Sequence, residues 1–226
     1  MMFAPLAQLP AVVSPNVFTT CRTARQAAFK SFHHDPVDTP MGIEGKMPLW
    51  LRGTYLRNGP GLFEVGDRKL THWFDGYAML TKITFDDRPP QLTTRFVESD
   101  AFNAARSGEM GFAEFMTPLL APGSGWAAML RSLAALAAGD PTDNACVNLV
   151  QHGGAIVAMT ETQRSWRRVD PDSLQSGARV EWTGAEVGQL GTAHPLSDPA
   201  GGGTINVGTA ISPPFSSAYQ VYRMAA

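Results

Sequence analysis

Cysteine is nearly absent from this chain: Cys21 and Cys146 are the only two, far apart and not arranged as Cys-x-x-Cys. That excludes a thiolate metal cage and leaves no basis for a disulfide framework. Charge is sparse as well, at 17% of residues, with 18 Lys and Arg against 20 Asp and Glu. Without a basic stripe to neutralise a phosphate backbone, nucleic acid is excluded as the expected partner. No apolar run reaches the length of about 18 residues that a membrane-crossing helix needs. Acidic residues are missing altogether from the first 34 positions, which carry Arg22, Arg25, Lys30 and several hydroxyl side chains. Such a start resembles an organelle transit peptide. Residues 1–26 are therefore assigned to a transit peptide or, alternatively, a disordered extension, and residues 27–226 to one domain.

What is present points to a mainly β protein. Hydrophobic residues make up 44% of the chain, and glycine (22) and proline (17) are plentiful, as short strands divided by turns require. Tyr77–Phe85 and Leu92–Glu98 read as strands joined by the turn DDRPPQ. Cys146–Gln151 and Ala155–Thr160 form a hairpin closed at His152-Gly-Gly. Ser165–Val169 is a strand ended by DPDSL. Thr204–Gly208 and Ala218–Met224 form a last pair, with AGGG (200–203) suited to a tight turn. GDRKL and NGPG read as turns. In total about ten strands are expected, in a sandwich, barrel or propeller. One segment differs. In Gly125–Ala138, Trp126, Met129, Leu130, Leu133 and Leu136 recur at three- and four-residue intervals, the mark of an amphipathic helix. It packs on the β core or lies on a membrane surface with Trp126 at the headgroup level.

The candidate chemistry rests on five histidines, His33, His34, His72, His152 and His194. His33 and His34 sit in a polar segment and read as surface residues. His152 falls in a hairpin turn and favours solvent. His72 precedes the aromatic cluster Trp73-Phe74 and reads as a packing or hydrogen-bonding residue. His194 stands apart: Pro195 holds it extended, and Gly191, Thr192 and Ala193 leave space beside the ring. A lone imidazole is a metal ligand only if partners exist elsewhere. Glu161, at the end of an apolar strand, is either a solvated carboxylate or the acceptor that orients a ligand histidine. No GxSxG and no phosphate-cradling glycine pattern is present.

Several stretches together resemble one family. MPLWLRGTYLRNGPGLFEVGDRKLTHWFDGYAML (Met47–Leu80) is similar to the N-terminal signature of the carotenoid cleavage oxygenases. The resemblance continues through TDNACVNLV, AMTET, RRVDPDSL and GTAHP (Gly191–Pro195), and then TINVGTA and SSAYQVYRM. It implies a seven-bladed β-propeller, of which this chain would supply an incomplete arc of about two to three blades plus a short amphipathic helix. It implies a non-heme Fe2+ held by four histidines, with His194 as one metal ligand and Glu161 behind a ligand histidine. The implied reaction is dioxygenase cleavage of a carotenoid or apocarotenoid double bond by O2. Trp126, Met129, Leu130 and Leu133 would form the substrate-access patch on a membrane surface, in a plastid or, alternatively, the cytoplasm. The chain departs from the pattern at Leu196, where relatives often carry a second histidine. Three of the four ligand histidines belong to later blades in the family. The chain is accordingly expected to be a fragment, a truncated gene product or a degenerate, catalytically inactive β fragment that binds a hydrophobic ligand or partner.

Overall fold

The structure is a computed structural model and describes residues 28–33, 35–70, 72–109, 130, 142–161, 166–180, 188, 190–201, 203–212 and 216–225. The chain divides into two compact units, Met1–Lys30 and Ser31–Ala226. All the sheets lie in the second.

Three antiparallel four-stranded sheets succeed one another along the chain. The first has the order β1-β6-β5-β2 and is built from β1 (Thr39–Pro40), β2 (Gly53–Leu62), β5 (Tyr77–Phe85) and β6 (Gln91–Phe96). A small hairpin of β3 (Glu64–Val65) and β4 (Arg68–Lys69) rises between β2 and β5. The second sheet is a simple meander of β7 (Asn148–His152), β8 (Ala155–Met159), β9 (Arg167–Val169) and β10 (Ser176–Arg179). In the third, β13 (Thr204–Ser212) is flanked on one edge by β14 (Ser216–Met224). Its other edge is shared by two short strands, β11 (Leu190–Gly191) and β12 (Leu196–Ser197).

Alternation of side chains across the strands explains how the sheets stack. Ala78, Leu80, Val97, Ala145, Cys146, Ala158, Val169 and Leu174 form one buried core, joined by Leu56, Leu149 and Ile156. This core joins the first sheet to the second. Val157, Met159, Trp166, Val180, Ala193 and Met224 form another, joined by Val150 and Tyr222, between the second and third. Strand β8 thus sends Ile156 and Ala158 to one side and Val157 and Met159 to the other. The Trp166 indole, 2% exposed, donates its ring N–H to the Thr160 carbonyl at 3.0 Å.

The expected hairpins at 77–96, 146–160 and 204–224 are present with boundaries shifted by at most four residues. The turn at His152-Gly-Gly is a two-residue loop with Gly153 at φ 54 and Gly154 at φ 77, the positive-φ geometry that matches strand twist and suits glycine. NGPG is a correction: Asn58–Gly61 lies inside β2 rather than in a turn. Its proline is accommodated because β2 is a sheet edge and its register shifts between Pro60 and Leu62, positions where a missing N–H is tolerated. A second correction concerns His152, which ends β7 half-buried, with Nδ1 3.3 Å from the Thr204 hydroxyl. The amphipathic stretch Gly125–Ala138 lies outside the described residues except for Leu130, which is helical and 62% exposed. Trp126, Met129 and Leu133 are outside them. Among the described residues no helix is long and apolar enough to cross a membrane.

A helix the sequence did not announce, α1 (Asp100–Arg106), is nucleated by capping. The Ser99 hydroxyl accepts from the Phe102 N–H at 3.0 Å, and the Asp143 carboxylate accepts from the N–H groups of Asp100 (2.7 Å) and Ala101 (2.9 Å). Negative charge at a helix N-terminus is favourable, and here it is also neutralised: Arg167 Nη2 lies 2.8 Å from Asp143. Burial pushes the Asp143 carboxyl up, but the Ala101 N–H, the Arg167 guanidinium and the Asp100 N–H together hold it below its ordinary value. After β9, Asp170 closes a compact turn by accepting from the Ser173 N–H and hydroxyl at 2.7 and 2.8 Å. The turn carries Leu174 at φ 58, an unusual conformation for a non-glycine residue. Its side chain is completely buried in the first core.

Two outcomes are expected. Leu174→Ala leaves a cavity under the turn and should cost about 3 kcal/mol by the usual large-to-small range, read as a lower urea midpoint with unchanged slope. Asp143→Asn should cost about 3 kcal/mol at pH 7, because it leaves the mostly buried Arg167 guanidinium with only the exposed Asp100 carboxylate, 3.8 Å away, as counter-charge. The parent's Asp143 contribution is present above the ordinary carboxyl value of 3.8 and fades as pH falls below it. The gap between parent and variant in urea unfolding should therefore narrow toward pH 3; a constant gap would contradict this account.

Candidate functional site

His194 is placed by a mismatch in strand register. Gly191 pairs with Gly208 and Leu196 with Ile205. Five steps on one strand thus face three on the other, so two extra residues must leave the sheet. Thr192–Pro195 is that excursion, and an inserted segment of this kind re-aims a side chain. Ala193 is fully buried at its base, while His194 is exposed.

The excursion is tied at both ends. Gly191 donates its N–H to the Glu161 carbonyl at 2.7 Å, and Thr192 donates to the Val207 carbonyl at 3.0 Å. The His194 N–H donates to the Thr192 hydroxyl at 3.1 Å. The two carbonyls between these ties are taken up by asparagines. Asn148 Nδ2, on β7, donates to the Ala193 carbonyl at 2.8 Å, and Asn206 Nδ2, on β13, donates to the Thr192 carbonyl at 2.9 Å. Asn148 Nδ2 also lies 3.5 Å from His194 Nδ1, a marginal contact.

The backbone bond at Gly191 brings Glu161 and the His194 segment into one neighbourhood, although the Glu161 side chain is exposed. Cys146 lies close by in charge terms. Burial pushes its thiol up to about 12, and the charges of Asp75 and Glu161 add to the shift. It is a free cysteine whose Sγ lies 3.5 Å from the Phe74 carbonyl, so it neither bridges nor ionises at neutral pH. The other described histidines are occupied elsewhere. His33 Nε2 lies 3.1 Å from Glu64, and His72 Nδ1 accepts from the Phe74 N–H at 3.2 Å. His34 is outside the described residues.

Among the described residues, no three His, Cys, Asp or Glu side chains are grouped to hold a metal ion. A neutral imidazole is the right donor for Fe2+, but one imidazole does not make a site. The described residues here therefore offer one exposed imidazole and do not hold a metal by themselves. Asn148 and Asn206 were not anticipated from the sequence. The available signal was an asparagine flanked by apolar residues in VNLV and TINV, since asparagine is depleted from strands unless its carboxamide has partners.

Comparison with known proteins bears on this neighbourhood. Residues 29–226 match the family described as "RPE65: Retinal pigment epithelial membrane protein". Carotenoid cleavage dioxygenase 8 homolog B, chloroplastic, of Oryza sativa subsp. japonica is 36% identical over 172 residues, covering 75% of this chain and 30% of that protein. Beta,beta-carotene 15,15'-dioxygenase of Rattus norvegicus is 33% identical over 186 residues, covering 81% and 32%. The chain thus spans about a third of the length of the curated relatives it matches. Among solved structures, an ACO/RPE65 chimera in a trigonal crystal form superposes with a TM-score of 0.67 at 27% identity, covering 90% of this chain and 42% of that one. A variant of Synechocystis apocarotenoid oxygenase gives 0.65, also at 27% identity, with 88% and 41% covered. The register-lifted histidine therefore sits in a fold shared with carotenoid-cleaving enzymes, and the chain belongs to the RPE65/carotenoid cleavage oxygenase family.

Proposed function

We propose that this chain carries one corner of a carotenoid- or apocarotenoid-cleaving dioxygenase centre, with His194 as one of four imidazole ligands to Fe2+. The observation that carries the reading is the two-residue excursion that lifts His194 out of β11–β12 beside Glu161. In this reading the three sheets are successive blades of a seven-bladed β-propeller, and the remaining imidazoles come from further blades. Glu161 orients one of those imidazoles rather than His194. The bound iron would supply O2 activation. The overall reaction adds one oxygen atom to each carbon of a polyene C=C bond, breaking it into two carbonyl products. The protein's share is to present the imidazole in a fixed direction and to keep competing donors out. The raised Cys146 thiol fits that share, since it stays protonated.

Two features of the relatives support the setting. The name of the rice relative places that protein in the chloroplast, in keeping with the acid-free first 34 residues of this chain. A cobalt-substituted Synechocystis ACO is among the proteins of the same fold. A second, non-enzymatic reading, a membrane-associated β fragment that binds a hydrophobic ligand or partner, is favoured by the single described imidazole of the site.

The tests separate the two. Fe2+ added anaerobically should bind the chain weakly and in a His194-dependent way, and His194→Ala should reduce that binding at least tenfold. Equal binding by the two proteins would remove His194 from the centre. With an apocarotenoid and O2, the enzymatic reading expects two carbonyl products, each carrying label from 18O2; polyene binding without product or O2 uptake supports the second reading. For the access patch, the double change Leu130→Asp and Leu133→Asp should abolish flotation with liposomes. Unchanged flotation would rule the patch out.

A further inference from the structure

We propose that Asn148 and Asn206 are positioning residues, a pair of carboxamides that clamp the Thr192 and Ala193 carbonyls and thereby aim the His194 imidazole. The proposal rests on the reading of His194 as the working imidazole. The geometry is its foundation. Consecutive carbonyls at the base of the excursion have no ladder partners, because β11 and β12 leave β13 there. One is met from the second sheet by Asn148 Nδ2 (2.8 Å) and the next from the third sheet by Asn206 Nδ2 (2.9 Å).

The two carboxamides are held in the same way. Asn148 Oδ1 accepts from the following Leu149 N–H at 2.9 Å, and Asn206 Oδ1 accepts from the following Val207 N–H at 2.9 Å. With the oxygen committed, the nitrogen can point only at the excursion. The second proton of Asn206 Nδ2 is placed as well, 3.1 Å from the Tyr222 hydroxyl, whereas Asn148 Nδ2 makes only the marginal 3.5 Å approach to His194 Nδ1. Asn206 is 1% exposed. A buried carboxamide left unpaired is costly, so its orientation is firm. An exposed imidazole at the end of a two-residue excursion would otherwise sample many directions, each a loss of effective ligand concentration.

The change Asn→Asp separates the clamp from the fold. It keeps the oxygen that accepts from the next N–H and replaces the donor by a second acceptor facing a carbonyl. Asn148→Asp and Asn206→Asp are compared with the parent chain by amide exchange on the metal-free protein, and the uncharged Asn148→Leu and Asn206→Leu by titration with Co2+ alone, so that no new carboxylate stands beside the imidazole. Amide hydrogen exchange at Thr192 and His194 should quicken at least tenfold, while exchange in the β5–β6 ladder, in the first sheet, stays at the parent rate. The Co2+ concentration that half-broadens the His194 ring resonance should rise tenfold or more, the usual cost of losing a residue that orients a ligand. A merely structural asparagine would leave that midpoint unchanged in a folded variant, and folded variants with parental exchange and parental Co2+ midpoint overturn the proposal.

Should a variant unfold, shown by faster exchange in the β5–β6 ladder too, the parent chain decides. The Nδ2 protons of Asn148 and Asn206 must exchange far more slowly than those of a free asparagine, and free exchange overturns the clamp. If instead Co2+ leaves the parent's His194 resonance untouched, the ligand reading fails. The exchange rates then still decide whether the clamp exists.

Discussion

Strand β8 has no solvent face, and the rest of the architecture follows from that. Ile156 and Ala158 feed the core shared with the first sheet, and Val157 and Met159 feed the core shared with the third. An antiparallel strand is usually apolar on one side only, and one buried on both must be covered twice. AIVAM satisfies this with an uninterrupted apolar run. The second sheet therefore fixes the distance and order of its neighbours, and everything at the sheet junctions, including the excursion at His194, is positioned by it.

Covering a sheet on both faces creates a polar difficulty at its junctions. Backbone groups there are buried but fall outside any ladder, and each needs a partner. This chain answers with carboxamides. Asn58 donates to the carbonyls of Ala145 and Asn148 at the passage from first to second sheet. Asn144 accepts from the Ala78 N–H at 2.9 Å and donates to the Gly76 carbonyl at 3.1 Å. Asn148 then reaches from the second sheet to Ala193. A carboxamide carries a donor and an acceptor on one rigid plane, so it can tie a loop to a strand without introducing a charge. The charged solution, Asp143 with Arg167, appears where a helix N-terminus supplies additional donors.

Legibility in the sequence followed the strength of the local physics. Tyr77–Phe85 was readable to the residue because β-branched and aromatic side chains alternate between clear turns, and His152-Gly-Gly because two glycines meet a two-residue loop. NGPG misled because glycine and proline have two uses: turns, and edge strands with a bulge. Helix α1 was invisible because its stability comes from Ser99 and from Asp143, 43 positions away from Asp100. For His194, Pro195 gave the extended backbone, but the two extra residues that expose the ring appear only when both pairings to β13 are known. The family resemblance pointed separately to His194 and to Glu161, and the structure joins their segments only through the backbone bond from Gly191 to the Glu161 carbonyl.

The surroundings of Cys146 oppose its ionisation. Cys146 is buried, and ionising it would set a third negative charge near Asp75 and Glu161, so its thiol is held up at about 12. Glu161 is joined through its own carbonyl to Gly191, three residues before His194, so the segment that exposes the ring is fixed to the strand end that carries the charge. A neutral imidazole adds no charge of its own and can share a cation with further imidazoles without mutual repulsion, as a second carboxylate or thiolate could not. The register mismatch exposes the ring, and the carboxamides of Asn148 and Asn206 meet the backbone carbonyls at its base.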